Sequence, residues 1–325
     1  MTMQESLDTR SMPRRPGRQR AGISGIVPPM VTPLAGRDKL DLPGLERLIE
    51  RILAGGVHGL FILGTTGEGP SLSNRLKREV VERTCAQVGG RVPVLVGVTD
   101  PCFTESINLA HHAADQGASA VVIAPPYYFP VGQPELTDYY LQIASQMPLP
   151  VVPYNMPSCT KVQIELNTLR LLLDHPNVVA YKDSSGQMVY LHRVIQLLKQ
   201  YPGKTVLVGP EEMLGETTLL GGNGGVSGGA NLFPGLYVAL YEAAKSNDLV
   251  EVQRLHGLVM QVSTLLYGVG KYGSSTIKGI KCALSCLGIC EGNMADPFQH
   301  FHAHERDIIR ERVSTISEHL ASDKG

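Results

Sequence analysis

The chain has 325 residues, 43% of them hydrophobic, and a formal net charge of −1. That near-neutral balance gives no electrostatic footprint for nucleic acid or an anionic membrane surface, and no run approaches the ~18 apolar residues of a transmembrane helix. Glycine is abundant, at 35 residues, which suits a fold with many tight turns, and the length fits a single large α/β barrel.

Residues 1–21 carry Arg10, Arg14, Arg15, Arg18 and Arg20 together with Pro13 and Pro16. No apolar stretch or cleavage pattern follows, so this is not a secretion signal. A disordered basic tail is the better reading, with a targeting or binding arm as the alternative. Beyond it, short apolar runs recur at 26–31, 59–63, 94–98, 120–124, 150–154, 178–182, 205–209 and 224–227. They are rich in Val, Ile and Leu rather than alternating, as parallel strands covered on both faces should be. Between them lie segments of helical period, such as 43–53 and 74–88. Eight such units predict a closed (β/α)8 TIM barrel over 22–233. The remainder, 234–325, reads as the last barrel helix and a C-terminal helical extension, with helices near 236–245, 249–266, 276–287 and 303–320.

The six cysteines are Cys85, Cys102, Cys159, Cys282, Cys286 and Cys290, and none forms a CxxC pair. The last three repeat every four residues, which predicts one buried helical stripe of small core residues. A reducing, cytoplasmic setting is expected. His300, His302 and His304 alternate without a partner cluster, so no metal site is expected there. The glycines of 221–229 are not followed by the Lys-Ser/Thr of a phosphate loop.

In barrels the functional groups sit at the C-terminal ends of strands. The second strand runs into Gly64-Thr65-Thr66-Gly67-Glu68-Gly69, where hydroxyls and backbone N–H groups suit a carboxylate better than an apolar group; an ordinary turn is the alternative. The fourth ends in Pro125-Pro126-Tyr127-Tyr128-Phe129-Pro130 and the fifth in Tyr154-Asn155-Met156-Pro157-Ser158. Their phenols are either packing groups or proton relays. The sixth ends in Tyr181-Lys182-Asp183-Ser184-Ser185. A lysine closing a buried strand has its ammonium form disfavoured, and the free amine is what attacks a carbonyl. Snorkelling at the barrel rim is the bland alternative.

In this order the four strand ends resemble the dihydrodipicolinate synthase and N-acetylneuraminate lyase family, over roughly residues 22 to 295. The resemblance implies a pyruvate-dependent lyase that works through an imine on Lys182, with no metal and no other cofactor. It implies that Tyr154 moves protons, that Thr65 links Tyr154 to Tyr128 of a neighbouring subunit, and that Thr66 holds the substrate carboxylate. Gly64, Ser184, Glu211, Glu212, Val226 and Cys159 are expected to line the substrate site. The implied partners are a small 2-oxo acid, an aldehyde and further copies of the chain, as a tetramer or dimer.

Two departures from the family pattern carry information. Cys159 stands where dihydrodipicolinate synthases place an arginine for the aldehyde's carboxylate, and Lys161 cannot reproduce its bidentate fork. The family's lysine-feedback positions correspond to Asn74, Lys77 and Pro101, with Glu105 alone retained. Glu211 and Glu212 match an acidic pair that grips sugar hydroxyls in the lyases. The Ser-Thr pair that those lyases place in the 222–229 region is missing, which counts against sialic acid. The pattern resembles 2-keto-3-deoxy sugar-acid aldolases instead. The expected activity is therefore carbon–carbon cleavage or formation between pyruvate and an aldehyde, on a hydroxylated 2-oxo acid. The rivals are dihydrodipicolinate synthase, a sugar-acid dehydratase using the same imine, and a non-catalytic binding barrel.

Overall fold

The computed structural model describes residues 23–322. The expectation for the basic tail at 1–21 lies outside them. The sheet strands are β1 (Gly25–Ile26), β4 (Leu60–Ile62), β5 (Val94–Gly97), β6 (Ala120–Ile123), β7 (Val151–Asn155), β8 (Ala180–Asp183), β9 (Thr205–Val208) and β10 (Gly224–Gly225). They pair in parallel in the order β1-β10-β9-β8-β7-β6-β5-β4. A parallel bridge between Pro29 and Phe61 closes the ring, with Met30 N donating to Phe61 O at 2.8 Å and Phe61 N to Pro28 O at 2.9 Å. The first strand is interrupted because Pro28 and Pro29 bring no N–H to the ladder.

Helices α1 (Leu42–Ala54), α2 (Asn74–Val88), α3 (Phe103–Asp115), α4 (Gln133–Gln146), α6 (Leu166–Asp174), α7 (Met188–Leu198), α8 (Leu214–Leu219) and α9 (Pro234–Lys245) wrap the sheet, with a short helix α5 (Pro157–Thr160) after β7. Sequence chemistry sets the ends: Asp41 accepts from Gly44 N at 3.0 Å to cap α1, and Ser73 accepts from Leu76 N at 3.2 Å to cap α2. After α9 come α10 (Leu249–Val262), a π-helical turn over Ser263–Tyr267, α11 (Ser275–Cys286) and α12 (Ala303–Ser322). No described helix is long and apolar enough to cross a membrane.

Two departures from expectation stand out. A hairpin of β2 (Leu34–Gly36) and β3 (Lys39–Leu40) follows the first strand, too short to leave a period in the sequence. The cysteine stripe is also broken. α11 ends at Cys286 and Gly288 turns left-handed at φ 70, so Cys290 sits beyond the helix, although it is buried. Burial pushes the Cys282 and Cys290 thiols up to about 12, which makes them poor nucleophiles.

The core has two compartments. Leu60, Ile62, Val121, Val151 and Tyr181 face outward to the helices. Phe61, Val122, Val152, Tyr154, Ala180 and Leu207 alternate with them and fill the barrel interior. Lys182 is two residues beyond Ala180, so the pleat turns it inward as well. That is how one side chain reaches the mouth of the barrel.

Candidate active site

Lys182 and Tyr154 are cross-strand neighbours in the β7–β8 register. The Lys182 Nζ lies 3.5 Å from the centre of the Tyr154 ring and 5.1 Å from that of Phe61. Lys182 is only 5% exposed, and burial pulls its pKa below the ordinary lysine range, with the Tyr154 hydroxyl and Asp183 opposing. The amine is thereby biased towards its neutral, nucleophilic form. Tyr154 Oη is 3.4 Å from Thr65 Oγ1.

The strand ends are locked from behind by residues that sequence reasoning left without a role. Asn155 Nδ2 donates to Asp183 Oδ1 at 2.7 Å, Ser185 Oγ donates to Asp183 Oδ2 at 2.9 Å, and Asn155 Oδ1 accepts from Ile164 N at 3.0 Å. Asn155 follows Tyr154 and Asp183 follows Lys182 in sequence, so the network fixes both reactive groups in register. Both Asn155 and Asp183 lie inside the motifs YNMPS and YKDSS, which was the available signal.

The Thr65–Thr66 turn is built with equal care. Glu68 N donates to Thr65 O at 3.0 Å, which leaves Thr66 and Gly67 at the corner of a β-turn, and Thr32 Oγ1 donates to Gly67 O at 2.7 Å. Leu63 and Glu68, on either side, hold left-handed φ values of 59 and 55. Gly69 and Gly97 allow the Leu63 carbonyl to pack against both, where any Cβ would collide with it. Glu68 itself forms a buried ion pair with Lys281 of α11, and its Oε1 accepts from Ala295 N at 2.8 Å. Lys281 Nζ also donates to Asn293 O at 2.7 Å. The loop is thus clamped to the C-terminal extension.

A cavity of about 290 Å³ opens over these groups, lined by Thr65, Thr66, Tyr154, Lys182, Ser184, Glu211, Glu212 and Val226. A second lobe of about 630 Å³, reaching Gly64 and Cys159, shares Thr65, Tyr154 and Met156 with it. Ten of the eleven residues expected at the site therefore meet in one bilobed mouth.

The model of the dihydrodipicolinate synthetase family matches residues 22–316. The chain belongs to that family. It is 34% identical to the probable 2-dehydro-3-deoxy-D-pentonate aldolase YjhH of Escherichia coli, over 82% of this chain and 88% of that protein. Among solved structures, dihydrodipicolinate synthase from Bacteroides thetaiotaomicron superposes with a TM-score of 0.88 at 52% identity, covering 90% of this chain and 98% of that one. YagE of E. coli K12, solved with pyruvate, superposes with a TM-score of 0.86 at 29% identity, covering 91% and 99%. The TIM-barrel class follows from the same matches. So does the chemistry: the chain is a pyruvate-dependent class I lyase that works through a lysine Schiff base, without metal or cofactor.

Tyr128 is the one expected residue that the synthetase-family barrel does not bring to its own mouth. It is 75% exposed and packs edge-on against Phe129, with ring centres 4.9 Å apart. Glu211 lines the cavity, but both carboxylate oxygens are taken by protein donors: Gly229 N, Tyr237 Oη and Tyr267 Oη. Burial lifts its pKa to about 7, against those hydrogen bonds. Glu212 is half-buried and has no hydrogen-bond partner among the described residues. Cys159 lines the outer lobe, while Lys161 lines neither lobe and donates to Ser158 O at 2.7 Å. At the feedback positions Lys77 is buried and paired with Asp100 at 3.5 Å, and Asn74 donates to Glu105 at 3.2 Å. The space left there is about 10 Å³, room for about one water. His300, His302 and His304 are exposed, and no group of three or more His, Cys, Asp or Glu among the described residues suits a metal ion.

Proposed function

We propose that this enzyme is an aldolase that joins pyruvate to a hydroxylated aldehyde, or cleaves the resulting hydroxylated 2-oxo acid back to them, with Lys182 as the imine-forming lysine. The observation that carries the substrate class is the outer lobe at Cys159: an exposed thiol lines it, and Lys161, two residues on in sequence, is turned to the backbone. A carboxylated aldehyde would find no bidentate cation among the described residues that line it, whereas Glu212 offers a hydroxyl an acceptor.

In this reading the Lys182 amine attacks the ketone carbon of pyruvate, water leaves, and the protonated imine acts as an electron sink. A proton then comes off the methyl group to give the enamine, whose carbon attacks the aldehyde. The corner of the Thr65–Glu68 turn receives the pyruvate carboxylate through Thr66, beside Gly64. Tyr154 carries protons at the imine and at the new alkoxide, with Thr65 orienting its hydroxyl. Ser184 and Val226 shape the wall behind the imine.

The same reading makes the enzyme a cytoplasmic homo-oligomer, a tetramer or dimer, in which Tyr128 of a second copy meets Thr65. Support comes from the paired exposure of Tyr128 and Phe129 and from the roomy outer lobe beside Thr65.

A second reading, dihydrodipicolinate synthase, is favoured by the description of the B. thetaiotaomicron protein at 52% identity. Comparing kcat/KM for glyceraldehyde and aspartate semialdehyde, each with pyruvate, decides between them. The aldolase reading expects glyceraldehyde to win in the parent. It expects Cys159→Arg to raise use of the semialdehyde by at least roughly tenfold, since a charge-assisted pair contributes about 1.5–3 kcal/mol and each ~1.36 kcal/mol is a decade in rate. Efficient use of the semialdehyde by the parent would hand the assignment to the second reading.

A further inference from the structure

Tyr267 is not among the residues that the sequence singles out, and the chemistry above gives it no task. It ends the π-helical turn that continues α10, and such turns are frequent at functional sites. Here the turn delivers the Tyr267 ring into the wall of the cavity that holds Lys182. Its hydroxyl donates to Glu211 Oε1 at 2.8 Å. The same oxygen receives Tyr237 Oη at 2.5 Å, and Glu211 Oε2 receives Gly229 N at 2.7 Å. Three separate elements therefore hold one buried carboxylate, and Gly229 is required for it: a Cβ there would collide with the Tyr237 hydroxyl.

A phenol whose proton is committed to a carboxylate is left with an oxygen that accepts. That oxygen lies beside Gly228, another residue of the cavity wall, where a Cβ would stand 3.6 Å from it. A fixed acceptor of this kind recognises a hydroxyl, which can donate, and offers nothing to an alkyl chain. We propose that Tyr267, oriented by Glu211, is a specificity-determining residue that accepts a hydrogen bond from a hydroxyl on the aldehyde-derived half of the substrate. The proposal rests on the pyruvate-dependent reading and deepens it. It moves hydroxyl recognition from Glu211, whose oxygens are occupied, to the phenol that Glu211 holds, with the half-buried Glu212 as a second acceptor on the same wall.

Glyceraldehyde and propanal are matched aldehydes that differ only in hydroxylation. With pyruvate as donor, kcat/KM for each is measured in the parent, in Tyr267→Phe and in Gly228→Ala. The parent is expected to favour glyceraldehyde, and both variants to lower the glyceraldehyde-to-propanal ratio roughly tenfold, the scale of one well-placed hydrogen bond. Gly228→Ala leaves every donor to Glu211 in place and sets a methyl group beside the Tyr267 oxygen, with the flexible end of Ile280 as its tightest neighbour at 3.2 Å. It keeps the test decisive if Tyr267→Phe folds poorly. A purely structural Tyr267 would lose rate equally on both aldehydes. An unchanged ratio, or a parent that shows no preference for glyceraldehyde, overturns the proposal. Borohydride trapping of pyruvate by the parent separates the two levels. Absence of trapping overturns the Schiff-base reading and the proposal with it, whereas trapping with an unchanged ratio overturns the proposal alone.

Discussion

Replacing Lys281 by methionine removes one half of an ion pair whose side chains are 0% and 1% exposed. Methionine fills a similar volume, so the packing loss is small and the dominant effect is a stranded Glu68 carboxylate. Breaking a buried pair from one side costs about 3–5 kcal/mol, and at about 2 °C per kcal/mol for chains of this size the melting temperature should fall by roughly 6–10 °C. Adding Glu68→Gln should restore most of the loss, because the amide carbonyl can still accept from Ala295 N and no charge remains. Because Glu68 closes the turn that carries Thr65 and Thr66, the single variant should also raise KM for pyruvate more than it lowers kcat. Thermal melts and steady-state kinetics check this. A single variant within about 1 kcal/mol of the parent, or a double variant no better than the single, would refute the clamp.

Two further outcomes are expected. Tyr154→Phe should slow the chemical step by roughly 10²-fold or more while pyruvate binding changes far less; single-turnover kinetics with a rate within about threefold of the parent would remove Tyr154 from the proton path. Free L-lysine at millimolar concentration should leave the rate unchanged, since Lys77 already occupies the pairing position on Asp100 and the remaining space is about 10 Å³; saturable inhibition in the kinetic assay would contradict this.

The barrel was legible because its strands announce themselves as apolar runs and its helices by period and caps. Lys182 and Tyr154 were legible because a lysine and a tyrosine closing such runs must sit at the mouth. The hairpin after the first strand was not, since strands of two and three residues leave too little period to detect. The cysteine stripe failed at Cys290 because spacing alone does not report the left-handed Gly288 that ends the helix one turn earlier. Harder still were groups whose role depends on distant partners. Glu211 reads as an acidic pair with Glu212, yet it is occupied by Tyr267, 56 residues away. Lys281 lies in an apolar stretch between Ile280 and Leu284, and a charge in that setting was the one hint that it answers a buried acid.

The most direct test of the account is covalent. Incubating the protein with pyruvate and borohydride, followed by peptide mass mapping, should show a single reduced adduct on Lys182. Raising the pH should speed its formation, with an inflection below the ordinary lysine range, because burial disfavours the ammonium form. Lys182→Arg, which keeps the positive charge but has no free amine at any accessible pH, should give no adduct and no turnover. An adduct on another lysine, or none in the parent, would contradict Lys182 as the Schiff-base residue.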